Sequence, residues 1–189
     1  MTHAVVLAAG TGSRFGGQKL RALLDGTPLI DHVLNATAHL PTTVVASPDL
    51  GAALGHPERS EQSERSRGTG VILNPAPEHG MAHSLRLANA AIDASASLLV
   101  LLADMPWITP AIVDAVIVAA GDADVCYPVR DGIGGHPVFF SPRARAKIPA
   151  LPDGDSLRAL RDDPGLTRAT LPLKSDAAYR DVDVPTDLP

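Results

Sequence analysis

The chain has 189 residues, of which 45% are hydrophobic and 20% are charged, and its net charge is −5. This composition predicts one globular domain over residues 1–189, and the negative charge argues against a nucleic-acid partner. Cys126 is the only cysteine, so an internal disulfide is excluded and a reducing, cytoplasmic location is favoured. The apolar runs are too short to span a bilayer, and the N-terminus lacks the pattern of a signal peptide, so we expect no membrane association.

The first half of the chain alternates apolar strands with helices of apolar periodicity. The predicted strands are Val5–Leu7, 42–47 and 70–74, and the predicted helices are 29–40 and 81–94. The segment 55–70 interrupts this alternation, because it is polar and charged and shows no periodicity. It predicts a surface loop.

The second half continues in the same way. The predicted strands are 97–104, 123–129 and 135–140, and the predicted helices are 109–121 and 141–148. Thr109 and Ser141 each precede a proline, which predicts that both residues are helix N-caps. Residues 181–189 predict a strand-like segment followed by a turn. Strands that alternate with helices predict a three-layer α/β fold with a mostly parallel sheet.

A glycine-rich loop follows the first predicted strand, with glycines at positions 10, 12, 16 and 17 and the cations Arg14 and Lys19. Ligands of open α/β sheets bind beyond the carboxyl ends of strands, and successive backbone N–H groups in such a turn attract anions. The dinucleotide-binding fingerprint does not match, because it has glycine at the position of Phe15. The P-loop motif does not match either, because it has lysine directly after glycine, whereas here Gln18 separates Gly17 from Lys19. The loop therefore predicts a polyphosphate site of another class, with a glycine-rich turn that binds nothing as the alternative.

Asp104 directly follows an apolar strand, so its side chain is expected at the carboxyl end of that strand, facing the glycine-rich loop. Mg²⁺ usually binds through one or two carboxylates and the phosphates of a substrate. Asp104 is therefore a candidate Mg²⁺ ligand, and a cap of the turn before Pro106 is the alternative.

Two histidines have the spacing of metal ligands on a helix. His79 and His83 are four residues apart. Gly80 stands where the zinc-protease motif has glutamate, and the sequence shows no third ligand. The sequence alone therefore does not predict a zinc site.

Six segments stand in a fixed order along nearly the whole chain: LAAGTGSRFGGQK, NPAPEHGMAHSL, LLADMP, GIGGHPVFF, DGDSLRALR and DVDVPTDL. Together they resemble the molybdenum cofactor nucleotidyltransferase family, the MobA-like NTP transferases. Two segments depart from the family pattern, because Leu157 replaces a usual glycine and Val184 a usual threonine. The resemblance implies a Rossmann-like nucleotide-diphospho-sugar transferase fold of the GT-A-like type, with the nucleotide in the N-terminal half and the acceptor in the C-terminal half.

The resemblance also implies the roles of individual residues. The catalytic residues would be Arg14, Lys19 and Asp104, and the acceptor-binding residues would be Gly135, His136 and Pro137. The nucleotide-binding residues would be Leu7, Ala8, Ala9, Gly10, Thr11, Gly12, Ser13, Arg14, Lys19, Asn74, Gly80 and Ser84. Ser84 alternatively bonds its own helix backbone, and His136 alternatively bonds a strand end.

The cofactor implied by the resemblance is Mg²⁺, held by Asp104 and Asp183. Asp183 fits a cap of the following turn nearly as well, and Asp181 is a weaker candidate ligand.

The implied reaction transfers CMP or GMP from CTP or GTP to the phosphate of a molybdopterin-type cofactor, with release of pyrophosphate. The segment LAAG resembles the cytidylyl branch of the family, because the guanylyl branch typically has LAGG. The methyl group of Ala9 leaves less room beside the base, which would favour the smaller pyrimidine. A client molybdoenzyme is a further expected partner. Two alternatives remain, a nucleotidyltransferase acting on another phosphorylated acceptor such as a sugar phosphate, and a non-catalytic carrier of the molybdenum cofactor.

Overall fold

The computed structural model describes residues 1–10, 15, 18–54, 69–154 and 157–188. The strands are β1 (Thr2–Ala8), β2 (Leu23–Leu24), β3 (Thr27–Pro28), β4 (Thr42–Ala46), β5 (Thr69–Leu73), β6 (Ser97–Leu102), β7 (Val125–Arg130), β8 (Ile133–Gly134), β9 (Val138–Phe140) and β10 (Arg168–Pro172). The helices are α1 (Leu29–Ala36), α2 (Pro48–Leu54), α3 (Gly80–Ala91), α4 (Pro110–Ala120), α5 (Pro142–Arg145) and α6 (Leu157–Arg161).

The central sheet runs in the order β10-β7-β9-β6-β1-β4-β5, with β8 beside β7. It is mostly parallel, as the sequence predicted, since β1 pairs in parallel with both β4 and β6, and β9 runs antiparallel to its neighbours β6 and β7. The chain leaves β1 toward β4 on one side and later returns to β6 on the other. This reversal opens a crevice at the carboxyl ends of β1, β4 and β6, where open α/β sheets bind ligands.

Helices cover both faces of the sheet and produce the three layers. Val6 of β1 packs with Ile30 of α1 and Val113 of α4 on one face. Its neighbour Val5 packs with Leu85 of α3 on the other face. Successive side chains of a strand point to opposite faces, so the continuous apolar run of β1 serves two hydrophobic cores at once.

The structure confirms several predicted element boundaries and corrects others. The Thr109 side chain caps α4, and the Ser141 side chain caps α5, as predicted. The helix predicted over 29–40 ends at Ala36, because the Thr37 hydroxyl bonds the carbonyls of the last turn. The sequence patterns did not predict helix α2, strand β10 or the β2–β3 hairpin.

Two further expectations about loops and ends were wrong in part. Residues 69 and 70 of the predicted surface loop belong to β5, and residues 55–68 lie outside the described residues. The segment 181–184 is not a strand, because the Asp187 carboxylate accepts hydrogen bonds from the backbone N–H groups of Asp183 and Val184 and so forms a turn. Within the described part of the chain, every helix is too short or too polar to cross a membrane.

Arg145 of α5 is a buried cation that completes the end of α3. Its guanidinium donates to the backbone carbonyls of Asn89, Ile92, Asp93 and Ala96, and its Nε donates to the Asn89 side chain. The last carbonyls of a helix have no partner within the helix. Arg145 therefore ties α5 to α3 and to the segment that enters β6.

We expect Arg145→Met to lower the free energy of unfolding by at least about 3 kcal/mol, because several buried carbonyls would lose their donor. Urea denaturation followed by circular dichroism measures the change. The matched control is Arg168→Met, which removes a half-exposed guanidinium on β10 and should change the stability by less than about 1 kcal/mol. Equal stability of Arg145→Met and the parent would contradict this role of Arg145.

Candidate nucleotide and metal site

A cleft of about 830 Å³ lies at the carboxyl ends of β1, β4 and β6. The end of β1 forms its floor, and the beginnings of α2 and α3 form two of its walls. Its lining includes Leu7, Ala8, Ala9, Gly10, Lys19, Arg21, Ser47, Asp49, Pro77, Gly80, Met81, Ser84 and Asp104. The volume and the mixed apolar and polar lining are typical of small-molecule sites.

Most of the residues expected to bind nucleotide from the sequence are brought together in this cleft. Eight of the predicted catalytic and nucleotide-binding residues line it: Leu7, Ala8, Ala9, Gly10, Lys19, Gly80, Ser84 and Asp104. Four others, Thr11, Gly12, Ser13 and Arg14, lie outside the described residues.

Asn74 supports the cleft from behind. It is fully buried, its Nδ2 donates to the Ser84 hydroxyl at 2.9 Å, and its Oδ1 accepts from the Ala76 backbone N–H at 2.9 Å. Asn74 thereby fixes the Ser84 hydroxyl and the turn after β5. Asn74 does not line the cleft, but it holds the hydroxyl of Ser84, which does.

Lys19 is held between two carboxylates at the mouth of the cleft. Gln18 adopts a left-handed backbone with φ of 50°, and the 3₁₀ turn Lys19–Arg21 begins directly after it. The Lys19 ammonium donates to Asp104 Oδ2 at 2.9 Å and to Asp183 Oδ1 at 3.2 Å. The loop after β1, the end of β6 and the C-terminal segment therefore meet at this ammonium.

A third carboxylate completes this cluster. One oxygen each of Asp104, Asp181 and Asp183 lies within 4.8 Å of the others. The Val182 backbone N–H donates to the Asp104 backbone carbonyl at 2.9 Å, so the C-terminal segment is docked beside β6 with its two aspartates flanking Asp104. Asp181, the weaker candidate in the sequence analysis, belongs to the same cluster as Asp183.

The close packing of charged groups in this cluster shifts the pKa values of Lys19 and Asp181. Burial by itself lowers the pKa of Lys19, but the hydrogen bonds and charges of Asp104 and Asp183 outweigh it and hold that pKa above its ordinary value. Partial desolvation and the negative charges of Asp104 and Asp183 raise the pKa of Asp181. Both shifts follow from the close approach of the carboxylates, which favours a positive charge next to them.

Two polar atoms at this site lack a hydrogen-bond partner. Among the described residues, these are the only buried side-chain nitrogen or oxygen atoms in that condition: Asp104 Oδ1 and His136 Nδ1. Buried polar atoms nearly always have a hydrogen-bond partner, so these two atoms are candidates to contact a ligand. The orphaned oxygen of Asp104, next to two further carboxylates, fits a hard divalent cation such as Mg²⁺.

The predicted acceptor residues Gly135, His136 and Pro137 are not among the residues that line the cleft. The backbone N–H of His136 donates to the Ala178 carbonyl at 2.8 Å. A Cβ atom on Gly135 would collide with the same carbonyl and with Tyr179. Desolvation lowers the pKa of His136 to about 4; the Val100 carbonyl and Asp104 oppose this shift, and Arg161 adds to it. His136 is therefore a neutral imidazole beside the carboxylates, and Pro137 follows it into β9.

Three arginine–aromatic contacts among the described residues of the C-terminal half were not predicted from the sequence, and one of them places the Arg130 guanidinium 4.6 Å from the centre of the Tyr179 ring. The Arg161 guanidinium lies 4.7 Å from the centre of the Tyr127 ring, and the Arg180 guanidinium lies 3.7 Å from that of Trp107. Arg161 is the last residue of the DGDSLRALR segment, and nothing in that segment indicated an aromatic partner for it. No spacing in the sequence connects Trp107 with Arg180.

A family profile described as the MobA-like NTP transferase domain matches residues 4–169. The phosphoenolpyruvate guanylyltransferase of Sphaerobacter thermophilus is 32% identical over 166 residues, which cover 85% of this chain and 75% of that protein. The family profile extends from β1 into β10 and includes every residue named above as lining the cleft.

Solved structures share the fold. Rv0371c of Mycobacterium tuberculosis superposes with a TM-score of 0.80 at 22% identity, covering 98% of this chain and 94% of the other. The same protein in complex with manganese gives a TM-score of 0.72 at 20% identity, covering 98% and 91%. The molybdopterin-guanine dinucleotide biosynthesis protein A of Archaeoglobus fulgidus gives 0.69 at 20% identity, covering 98% and 94%.

We expect Lys19→Met to tighten the binding of Mn²⁺ to the nucleotide-free protein by at least about ten-fold, because the ammonium competes for the same carboxylates. Asp183→Asn should weaken the binding by at least about ten-fold. Electron paramagnetic resonance of free Mn²⁺ measures both affinities.

The control for this measurement is Lys174→Met, which removes an exposed ammonium and should leave the Mn²⁺ affinity unchanged. Weaker binding in Lys19→Met than in the parent would show that the lysine does not occupy the cation position.

Proposed function

Because the chain belongs to the MobA-like NTP transferase family, we propose that it transfers CMP or GMP from CTP or GTP to the phosphate of a molybdopterin-type cofactor and releases pyrophosphate. The observation that carries the proposal is the Lys19 ammonium between Asp104 and Asp183 at the mouth of the cleft. A cation-binding position of this kind, next to a cavity at the end of a strand, suits a triphosphate. The product would then pass to a client molybdoenzyme.

The chain's part in this reaction is positioning and charge neutralisation. Asp104 and Asp183, with Asp181 beside them, would hold Mg²⁺, which when bound neutralises phosphate charge and polarises the phosphorus–oxygen bonds. Lys19 then turns from the carboxylates to the phosphates, where its compact charge offsets the charge of the departing pyrophosphate. Arg14 is assigned the same task from the sequence.

The acceptor is assigned to the segment Gly135–Pro137. His136 is neutral, and its Nδ1 is buried without a partner, so it is free to exchange a hydrogen bond with an acceptor oxygen. Gly135 allows the close backbone approach that brings His136 next to the 176–178 turn. The charge of Asp104 acts on the His136 imidazole, so an acceptor phosphate bound by His136 would lie near the carboxylate cluster.

The base is assigned to the end of β1 and the start of α3. Ala9 is nearly fully buried and lines the cleft, and its methyl group reduces the room beside the base. The Ser84 hydroxyl, fixed by Asn74, offers a polar contact to the base edge. Because the methyl group of Ala9 limits this space, the pyrimidine of CTP fits better than the larger purine of GTP.

A second acceptor class is favoured by one comparison. The guanylyltransferase of Sphaerobacter thermophilus is named for phosphoenolpyruvate, a small phosphorylated acid. The Arg161 guanidinium packs against Gly134, two residues before His136, and pairs with the exposed Asp162. We propose that it would also bind the carboxylate of such an acceptor. A carrier without catalytic activity would not need a lysine shared by two carboxylates, and this argues for a transferase.

We expect Asp104→Asn and Lys19→Met each to reduce the release of pyrophosphate by at least about 100-fold, because each removes a charge directed at the phosphates. The assay pairs CTP or GTP and Mg²⁺ with molybdopterin or phosphoenolpyruvate as acceptor. Asp114→Asn, an exposed carboxylate on α4, is the control and should retain activity.

Turnover of either site variant at the parent's rate would refute its assigned role. No turnover with any acceptor, together with tight cofactor binding, would instead favour the carrier.

Ala9→Gly is expected to raise the preference for GTP over CTP by about ten-fold in kcat/KM, because removal of one methyl group makes room for the larger purine. The ratio is measured with both nucleotides in competition. The control Ala36→Gly removes a buried methyl group of α1 and should leave the ratio unchanged. An unchanged ratio in Ala9→Gly would place the base elsewhere.

A further inference from the structure

A second group of metal-binding side chains lies on the loop that leads into α3, apart from the carboxylate cluster. His79 ends the 3₁₀ turn Pro77–His79, and His83 follows in the first turn of α3. Asp153 approaches from the segment before α6, and one ligand atom of each residue lies within 4.8 Å of the other two. The geometry points to a binding site for a divalent transition metal of the zinc class at His79, His83 and Asp153.

Backbone contacts hold the two contributing segments together. The Gly154 backbone N–H donates to the His79 carbonyl at 3.0 Å. Gly80 has a positive φ of 83°, and a Cβ there would lie 3.3 Å from Gly154 Cα, so glycine permits both the turn and the close approach. The fold therefore brings Asp153 to the histidines across about 70 residues of sequence, and this is why the sequence showed no third ligand.

The carboxylate is already oriented toward the histidines. Asp153 Oδ2 lies 3.2 Å from His79 Nδ1, while Arg86 bonds the other oxygen of Asp153 and the Leu151 carbonyl. The hydrogen bond and charge of Arg86 hold the pKa of Asp153 below its ordinary value. Hydrogen bonds of this kind orient ligands in known metal sites.

One contact must yield when a metal binds. Arg86 Nη2 lies 3.4 Å from His83 Nδ1, the weakest hydrogen bond of the group. Its release leaves Arg86 anchored to Asp153 and Leu151. Rotation of the exposed side chains of His79 and Asp153 then brings the ligand atoms to the spacing of a metal with bonds of about 2 Å.

The donor set separates this site from the carboxylate cluster. Two imidazoles and one carboxylate, with water in the fourth position, are ligands that Zn²⁺ accepts. Mg²⁺ prefers oxygen atoms alone, which is what Asp104, Asp181 and Asp183 provide. The chain thus offers two cation sites of different chemistry, and the histidine site borders the wall of the cleft formed by Pro77, Gly80 and Met81.

The chain also provides a matched control. His39 Nε2 lies 2.9 Å from Asp114 Oδ1 on an exposed surface, and within the described residues no third ligand joins them. This pair has the same kind of ionic contact as His79 and Asp153 without the second histidine. It should not hold a metal.

The test is a Zn²⁺ titration against a chromophoric chelator in the full chain carrying Asp104→Asn and Asp183→Asn, which disable the carboxylate cluster. We expect one Zn²⁺ to bind with a dissociation constant in the micromolar range or below. Adding His79→Asn, His83→Asn or Asp153→Asn should weaken the binding by at least about ten-fold. Adding His39→Asn should not change it, and circular dichroism verifies that each variant is folded.

Three results would overturn the proposal: no saturable binding of Zn²⁺, equal affinity after any of the three ligand substitutions, or a loss in His39→Asn as large as in His83→Asn. Thermal unfolding provides a second readout that does not depend on the chelator. Zn²⁺ should raise the Tm of the Asp104→Asn, Asp183→Asn protein, since a ligand of the folded state stabilises it by mass action. The His83→Asn derivative should show no such rise.

Discussion

Three carboxylates at one strand end create a negative charge that the fold must balance. Asp104 stands at the end of β6, and the C-terminal segment brings Asp181 and Asp183 against it. Lys19 supplies the balance from the loop after β1. The same three carboxylates suit a divalent metal, which would compete with the ammonium for the same oxygen atoms.

The sheet topology explains why these residues meet. The chain places β4 and β6 on opposite sides of β1, so the loop after β1, the start of α3 and the end of β6 all face one crevice. The apolar strands that make this possible are fully buried on both faces. Asp104 comes just after β6, and the other polar side chains of the site come from segments that reach this edge of the sheet: the turn with Lys19, the start of α3 with Ser84, and the C-terminal segment.

The local sequence predicted the elements with strong periodicity or clear caps and missed those without them. β1, β6 and α4 were predicted, because continuous apolar runs and a Thr-Pro start are local signals. α2 was missed because its proline start and glycine-containing run gave no periodicity, and β10 alternates with polar residues at the sheet edge. The predicted C-terminal strand failed because Asp187 bonds the backbone of Asp183 and Val184.

The class of fold and the family were predictable from the sequence, and so were Lys19 and Asp104 as candidate site residues, because these predictions depend on residue types at short spacing. Only the tertiary structure decided which acids share Lys19, how Asn74 fixes Ser84, and that Asp153 joins His79 and His83. Each of these contacts joins segments separated along the chain, and the distance between such segments is set by packing of the sheet and helices, which no local pattern records.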